Sequence, residues 1–399
     1  MIARTKNDAC CACGNTKLAP ILDLPRFPLT GIYINDQSDA EYPFVDQGFA
    51  LCPDCGHGQL LFTVDPDYLY GSTYTHRGSS SPIATGGNDF FIGFLESLTP
   101  GQTFKQIVEV GCNDLYMLSR LTRKAGRLVG IDPIWKGRQP ELPERTTVVG
   151  EFLENIDLSH VLGGKPDLII SAHCFEHVSD PKTQLSGLIG VAANDALFVV
   201  EVPSLDTLLT TCRFDQVFHQ HIQYFSLASF LRMVEEIGGQ YVAHTFNYGY
   251  WGGTMLVAFR KRSGGPAGPA VNESRPQAPG EAYARSRYAM FREQLDSLMD
   301  MIQPQPDCPV YGFGAAQMLP ALAYHMKTDF SFLESILDDN PERTDKRYPH
   351  MPVWIRKPTP DMSFESSWVL ITALDSLRPI MQRLLTLKPR RILVPLSAL

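Results

Sequence analysis

One stretch decides the predicted fold of this 399-residue chain: Ile107-Val108-Glu109-Val110-Gly111-Cys112-Asn113-Asp114. Its apolar run ends at Gly111, and the next apolar run, Val129-Gly130-Ile131, ends at Asp132. A glycine between a strand and a helix lets the backbone approach a ligand closely. An acidic residue at the end of the second strand can accept both hydroxyls of a ribose. The two features together predict a nucleoside-binding edge on a parallel sheet, and the competing interpretation is an ordinary turn beside a surface aspartate.

The glycine loop lacks the complete G-x-G-x-x-G pattern, so it does not indicate close contact with a pyrophosphate, which disfavours a nicotinamide-dependent oxidoreductase. A Glu-x-Gly loop followed by an acidic second strand is instead typical of S-adenosylmethionine binding, because this cofactor has ribose and adenine but no phosphate. The candidate cofactor residues here are Glu109, Gly111, Asn113 and Asp132. Phe152 follows the third strand and either covers the adenine or packs in the core.

Short apolar runs alternate with helical segments from about residue 80 to residue 262, which predicts parallel strands in a doubly wound α/β sheet. The predicted strands are Gln106–Val110, Leu128–Asp132, Thr147–Val149, Asp167–Ser171, Ala196–Glu201, Tyr241–Phe246 and Thr254–Arg260. A Gly- and Pro-rich linker from residue 262 to residue 280 follows. Beyond it, a second and smaller α/β unit is predicted from a helix over Glu281–Ile302 and strands at Val310–Gly312, Ser335–Asp338, Trp368–Thr372 and Arg391–Pro395.

Four of the nine cysteines form two C-x-x-C-Gly pairs, Cys10 with Cys13 and Cys52 with Cys55. Thiolates at this spacing can bind one ion, and four of them make a closed, structural zinc site. The alternatives are a redox pair, four unconnected buried cysteines, or His57 as a rival ligand. The role of Cys11 is left open.

Overall composition excludes several classes of protein. The chain is 44% hydrophobic and 20% charged, which excludes wholesale disorder. Its net charge of −8 argues against nucleic acid as a partner. The uncharged stretch from residue 310 to residue 326 is too polar to span a membrane. The first residues contain no signal-peptide core, so a cytoplasmic protein is expected.

Histidines concentrate in two stretches that follow the fourth and fifth predicted strands. The first contains His173 and His177, and the second contains His219 and His221. Histidine suits proton transfer near neutral pH, so these loops predict an acid–base site beside the cofactor. Metal binding is the rival, but Glu176 and Asp215 are the few acidic partners available.

Several short motifs follow one another in a specific order. They are Asp67-Tyr68-Leu69-Tyr70-Gly71-Ser72, Glu109-Val110-Gly111-Cys112-Asn113-Asp114, Glu176-His177-Val178, Glu201-Val202-Pro203-Ser204, His219-Gln220-His221, Trp251-Gly252-Gly253-Thr254, Tyr311-Gly312-Phe313-Gly314-Ala315-Ala316 and Leu337-Asp338-Asp339-Asn340. With the paired cysteines, this order resembles that of the nucleotide-sugar C-methyltransferases acting on keto-deoxysugars, over nearly the whole chain.

The resemblance implies three units. These are an N-terminal zinc-binding domain (1–75), a class I S-adenosylmethionine methyltransferase domain with a Rossmann-like fold (76–265), and a smaller Rossmann-like C-terminal domain (266–399). It also implies that a nucleotide-linked sugar binds between the second and third units, with His173 beside the cofactor. A monomer and a homodimer are both compatible with the sequence.

The resemblance also implies a mechanism. His221 would remove a proton beside a ketone, and His177, His219 or a tyrosine such as Tyr70 would donate to the oxyanion. The family usually has Tyr-His-Glu-His where this chain has Phe218-His219-Gln220-His221. Without that glutamate, Gln220 leaves His221 without a nearby carboxylate and therefore less basic. Methylation of a hydroxyl and a non-catalytic binding protein are the alternatives.

In the C-terminal unit, the glycine loop from residue 312 to residue 317 is predicted to open a helix whose N-terminus can hold phosphate. Arg343, Lys346 and Arg347 follow the next strand. They either contact a diphosphate or form a solvated charge run.

Overall fold

The structure is a computed structural model, and it describes residues 3–35, 38–65, 69, 79, 81–138, 141–142, 144–262, 276–302, 308–359 and 362–396. Tyr70, the remainder of the tyrosine-rich motif apart from Leu69, and linker residues 263–275 lie outside these ranges. The predicted domain boundaries near residues 75 and 265 also fall outside them and remain predictions.

The N-terminal part consists of short antiparallel strands. In chain order they are β1 (Arg4–Lys6), β2 (Ala19–Phe27), β3 (Val45–Leu51), β4 (Gly58–Leu60) and β5 (Phe62–Val64). β1 pairs with β5, while β2, β3 and β4 form a four-stranded sheet with β11 (Gln223–Tyr224), which comes from much later in the chain. The two cysteine pairs are therefore separated by the β2–β3 hairpin, which accounts for their long spacing in sequence.

The middle part is built on a seven-stranded sheet in the order β12-β13-β10-β9-β6-β7-β8. The strands are β6 (Phe104–Val110), β7 (Ala125–Ile131), β8 (Thr146–Val149), β9 (Leu168–Ala172), β10 (Leu197–Pro203), β12 (Gly239–Asn247) and β13 (Thr254–Lys261). β12 and β13 run antiparallel to their neighbours, and the others pair in parallel. The sequence prediction of a doubly wound α/β sheet is confirmed.

Helices cover this sheet on both faces, so its central strands are buried on both sides, as their continuous apolar runs require. These helices are α1 (Pro82–Leu98), α2 (Tyr116–Arg120), α3 (Leu158–Leu162), α4 (Pro181–Val191) and α6 (Leu227–Glu236). Helix α5 (Leu205–Thr211) packs instead in a cluster with the N- and C-terminal parts. From β6 the chain first adds β7 and β8 on one side and then crosses over to β9 on the other. The order of strands therefore reverses between β6 and β9, and ligands bind at the carboxyl ends of strands at such a position.

The C-terminal part begins with α7 (Glu281–Ile302), whose bounds are those predicted from the sequence. A five-stranded parallel sheet follows in the order β16-β15-β14-β17-β18. Its elements are β14 (Val310–Phe313), α8 (Leu319–Met326), β15 (Ile336–Leu337), β16 (Ile355–Arg356), β17 (Trp368–Ile371), α9 (Leu377–Leu387) and β18 (Arg391–Leu393). The sequence analysis did not predict β16 (Ile355–Arg356), which pairs with β15.

One hydrophobic cluster joins the three parts of the chain. It contains Phe27 and Phe49 from the N-terminal sheet, Phe214 from the middle part, and Phe291 and Tyr348 from the C-terminal part, and all five side chains are fully buried. The parts are therefore held together by shared apolar burial, the dominant favourable contribution to folding. No helix within the described residues is long and apolar enough to cross a membrane.

Candidate functional site

The four paired cysteines meet in one cluster. The sulfur of Cys10 lies 3.6 Å from that of Cys55, and the sulfur of Cys13 lies 3.6 Å from that of Cys52. Four sulfurs held at about 2.3 Å around one tetrahedral ion lie about 3.8 Å apart, so the cluster fits a zinc ion. The sequence prediction of a four-cysteine zinc site agrees with this geometry.

Both C-x-x-C turns depend on the glycine that follows them. The amide of Gly14 donates to the carbonyl of Cys10, and the amide of Gly56 donates to that of Cys52. Both glycines have φ above +70°, a conformation that other residues rarely adopt. His57 is not part of the cluster, since its Nε2 donates to Oε1 of Gln223 at 2.8 Å.

A cavity of about 610 Å³ lies over the carboxyl ends of β6, β7, β8 and β9, where the strand order reverses. The six residues that the sequence proposes for the cofactor all line it: Glu109, Gly111, Asn113, Asp132, Phe152 and His173. Gly111 has a φ of +78°, and a Cβ there would lie 2.8 Å from Cβ of Cys174. Glycine is therefore required at this turn for both conformation and space.

The carboxylate of Asp132 is fixed by the backbone. One oxygen accepts a hydrogen bond from the amide of Asn113 at 2.8 Å, and the other accepts one from the amide of Ile134 at 3.0 Å. Each carboxylate oxygen has a further lone pair. Asp132 can therefore accept from the two hydroxyls of a ribose in the cavity, which fits S-adenosylmethionine.

Glu109 lies in the wall of the same cavity and is buried. Burial and the negative charge of Asp132 raise its pKa to about 8. Glu109 is therefore mostly protonated at neutral pH and can act there as a hydrogen-bond donor.

His177 and His221 lie side by side at the edge of the cavity. His177 lines it, and the ring of His221 packs against that of His177, with the two ring centroids 4.9 Å apart. Nδ1 of His177 donates to the main-chain carbonyl of Gln220 at 2.7 Å, which fixes the orientation of its ring. Burial lowers the pKa of His221 well below its usual value, and the neighbouring His177 lowers it further.

Glu176 provides a carboxylate for these histidines. Its Oε1 accepts from Nδ1 of His173 at 3.1 Å and lies 3.8 Å from Nε2 of His177. Burial alone would raise the pKa of Glu176, but the charge of His177 and the hydrogen bond from His173 lower it to about 2. The negative charge of Glu176 also favours protonation of His221. The expectation that His221 lies far from any carboxylate is therefore wrong, because Glu176 is close in space.

His219 and Gln220 face the N-terminal part instead of the cavity. Nδ1 of His219 lies 3.3 Å from Nε2 of Gln47, and its ring packs against Phe27. Burial lowers the pKa of His219 to about 4. Gln220 bonds to Thr30 through both ends of its side-chain amide. The structure thus brings His177 to the cavity and His221 into contact with His177, while the side chains of His219 and Gln220 contact the N-terminal part.

Sequence reasoning missed three polar or aromatic residues around His173, which itself has a φ of +51°. The rings of Tyr250 and Trp251 lie 5.1 Å from the imidazole of His173. Burial would lower the pKa of His173, but Glu176, and to a smaller extent Glu201, raise it. Buried Glu201 accepts from Thr254 Oγ1 at 2.6 Å. The WGGT motif marked this loop, but its spacing gave no sign that the loop returns to His173.

In the C-terminal glycine loop, several of the groups predicted to bind a phosphate have partners within the protein. Its helix begins only at Leu319, and the amide of Ala315 already donates to Asp338 at 2.6 Å. Arg343 forms an ion pair with Asp338 at 3.6 Å, and Arg347 forms one with Asp39 at 2.7 Å. Binding of a phosphate at this loop stays a prediction, and the amide of Ala315 is already bonded within the protein.

Comparison with known proteins agrees with the two sites. Residues 10–70 match the family described as "Putative zinc binding domain", and residues 89–244 match the family described as "Methyltransferase domain". The chain therefore carries a zinc-binding domain followed by an S-adenosylmethionine-dependent methyltransferase domain, the combination that the sequence predicts.

One curated relative is similar over a longer region. The chain is 29% identical over 262 residues to C-methyltransferase NovU of Streptomyces niveus. The aligned region covers 63% of this chain and 60% of NovU. The match thus spans less than two thirds of the relative's length. Among solved structures, the N-methyltransferase NodS of Bradyrhizobium japonicum WM9, in complex with S-adenosyl-L-homocysteine, is 15% identical with a TM-score of 0.37. That similarity covers 46% of this chain and 90% of NodS.

Proposed function

We propose that this protein transfers a methyl group from S-adenosylmethionine to a carbon atom beside the ketone of a nucleotide-linked sugar. The similarity to C-methyltransferase NovU supports methylation at carbon. The single observation that carries the proposal is the histidine pair at the edge of the cofactor cavity, backed by a buried, ionised glutamate.

His221 is the base in this proposal. Its lowered pKa keeps it neutral at neutral pH, so that it can accept the proton of the C–H bond beside the ketone. The electron pair of that bond forms an enolate, and the negative charge of Glu176 stabilises the imidazolium. His177, which lines the cavity, is placed to donate to the enolate oxygen.

When bound, S-adenosylmethionine supplies an electrophilic methyl group on a sulfonium. The cofactor would donate this methyl group to the enolate carbon, with the electron pair of the C–S bond staying on the sulfur of S-adenosylhomocysteine. Asp132 and the close backbone at Gly111 would hold the nucleoside of the cofactor in this cavity. Such alignment is a large part of catalysis in bimolecular reactions.

His221→Ala tests this proposal. We expect turnover of nucleotide-linked keto-deoxysugars to fall by about 10²- to 10⁴-fold, the usual contribution of a general base. Affinity for S-adenosylhomocysteine, measured by calorimetry, should be unchanged, because His221 does not line the cavity. His160→Ala, at an exposed position, is the control. Full activity of His221→Ala would contradict the role of His221, and an O–CH₃ instead of a C–CH₃ signal in the product's carbon NMR spectrum would contradict methylation at carbon.

A further inference from the structure

The segment Phe218–Phe225, here called the histidine segment, carries His221 and lies between two other parts of the protein. On one side is the zinc-binding part. On the other is the loop that follows β9, residues 173–179, which lines the cofactor cavity. Its one regular element is the two-residue strand β11. The position of His221 is therefore set by what the segment contacts on its two sides.

Contacts with the zinc-binding part lie along the length of the segment. Oγ1 of Thr30 donates to Oε1 of Gln220 at 2.9 Å, and Nε2 of Gln220 donates to the carbonyl of Thr30 at 3.0 Å. Nε2 of His57, two residues after the zinc ligand Cys55, donates to Gln223. These polar side chains are all buried. Breaking a buried hydrogen bond of this kind is costly, because the remaining donor or acceptor then has neither a protein partner nor water to bond to.

The backbone adds to these contacts, since β11 completes the sheet of the zinc-binding part. Tyr224 pairs with Gly58, and the amide of Leu60 donates to the carbonyl of Ile222 at 3.0 Å. A Cβ at Gly58 would lie 2.6 Å from the ring of Phe49 and 3.1 Å from Tyr224. The strand next to the second cysteine pair therefore packs tightly on the histidine segment.

On its other side, the segment is bonded to the wall of the cavity. The amide of Ile222 donates to the carbonyl of Glu176 at 2.8 Å, and the carbonyl of Gln220 accepts from His177. The side chain of Gln223 bridges both sides, since its Nε2 donates to the carbonyl of Val178 at 3.1 Å while its oxygen accepts from His57. Buried hydrogen bonds thus connect His57, beside the second cysteine pair, through Gln223 to the loop that lines the cavity.

We propose that the zinc-binding part positions His221, with Thr30, Gln220 and Gln223 as the positioning residues. The assignment of His221 as base rests on the proposed function, whereas the placing of the segment by the zinc-binding part does not. Gln220 has a specific part in it: an amide can both donate to and accept from Thr30, and a glutamate at this position could only accept. The glutamine therefore ties the segment to the zinc-binding part.

Thr30→Val tests the first contact, with Thr30→Ser as the matched variant that keeps the hydroxyl. In the zinc-loaded protein we expect Thr30→Val to lower kcat about 10- to 100-fold, as displacement of a catalytic group by about 1 Å can do. The KM for S-adenosylmethionine should stay unchanged, and the pH dependence of kcat should shift, because the surroundings of His221 change. Thr30→Ser should restore kcat. Equal kcat values and pH profiles in the two variants would overturn the role of Thr30.

Gln223→Met tests the bridge without relying on activity. Its control is Gln106→Met. Gln106 lies near the start of β6, away from the cavity, and is also buried, and its side chain donates to one backbone carbonyl, that of Leu162. Hydrogen exchange should speed up in residues 218–225 of Gln223→Met and stay unchanged there in Gln106→Met, with zinc content the same in both.

The two proposals can fail separately. If the wild-type protein methylates no keto-sugar, the proposed function fails, and hydrogen exchange alone decides the positioning. Faster exchange of the histidine segment in Gln223→Met and Thr30→Val supports the positioning. Exchange as slow as in the wild type would overturn it.

Discussion

Glu109 illustrates how one residue in the cofactor cavity makes stability depend on pH. It lies at the end of β6, next to the carboxylate of Asp132, and its pKa is raised to about 8 from the usual 4.5. Between these two values the folded protein holds a proton that the unfolded chain has released. The contribution of Glu109 to stability is therefore fully present below pH 4.5 and is lost as the pH rises towards 8.

Glu109→Gln should remove this pH dependence, because the amide imitates the protonated carboxyl group at every pH. Between pH 5 and pH 8, with zinc in excess, we expect the wild-type protein to lose stability on the order of a few kcal/mol more than the variant. Urea unfolding at the two pH values measures this. Glu144→Gln, at an exposed site, should behave like the wild type. An unchanged pH dependence in Glu109→Gln would show that Glu109 does not hold the proton.

At the same scale, the sequence predicts some site residues well and others poorly. Gly111 and Asp132 could be predicted because each directly follows an apolar run, and the end of a parallel strand has a known place in the fold. His219, Gln220 and His221 are neighbours in sequence, yet their side chains face different surroundings. No periodicity tells which of three adjacent loop residues packs against a histidine that lines the cavity. The proximity of Glu176 to His221 depends likewise on contacts between distant segments.

At the scale of elements, strands and helices with long apolar patterns were predictable. The predicted strands of the middle sheet overlap the observed ones, and α7 has the predicted bounds. Strand β11 was not predicted, because its two residues form a strand only by pairing with β4. That pairing joins the methyltransferase part to the sheet of the zinc-binding part. The link between the two sites is thus the feature that the sequence could not reveal.

The two cysteine turns allow a test with a built-in control. Cys13 belongs to the four-sulfur cluster, whereas neighbouring Cys11 lies outside it and its amide donates to Gln59. Cys13→Ser should weaken zinc binding strongly, since structural zinc contributes about 10–16 kcal/mol in small zinc-binding peptides and each thiolate supplies a share. Cys11→Ser should keep the zinc of the wild type. Zinc content after dialysis, measured by mass spectrometry, gives the answer, and loss of zinc from Cys11→Ser would assign the ligands differently.

At the scale of the whole molecule, several arginines form ion pairs with aspartates of the protein itself. With a net charge of −8, the chain as a whole repels anions, so a nucleotide-linked sugar would have to be held by local groups. The structure pairs Arg343 and Arg347 with aspartates of the protein. A third arginine, Arg213, is buried and connects the middle part with the C-terminal part. It bonds to both oxygens of Asp215, at 2.8 and 2.9 Å, and to Asp375 at 2.8 Å.

The cluster around Arg213 should respond unequally to loss of its members. Burial would lower the pKa of the guanidinium, but the two aspartates raise it, so Arg213 stays charged. Arg213→Met leaves the buried carboxylate of Asp215 and the partly buried one of Asp375 without their cation, and we expect it to cost about 3–5 kcal/mol of unfolding free energy. Asp375→Asn should cost much less, because the amide oxygen can still accept from Arg213 and from Gln216, which now bonds to Asp375.

Urea unfolding of the two variants measures this difference. Because one hydrophobic cluster spans all three parts of the chain, we expect a single transition for the wild type. Arg213→Met should shift its midpoint far below that of Asp375→Asn. Equal shifts would mean that both contacts are matched ion pairs, each broken by removal of either partner. The larger shift for Arg213→Met is expected because one cation here balances two carboxylates, so that removing the cation leaves more buried charge than removing either anion.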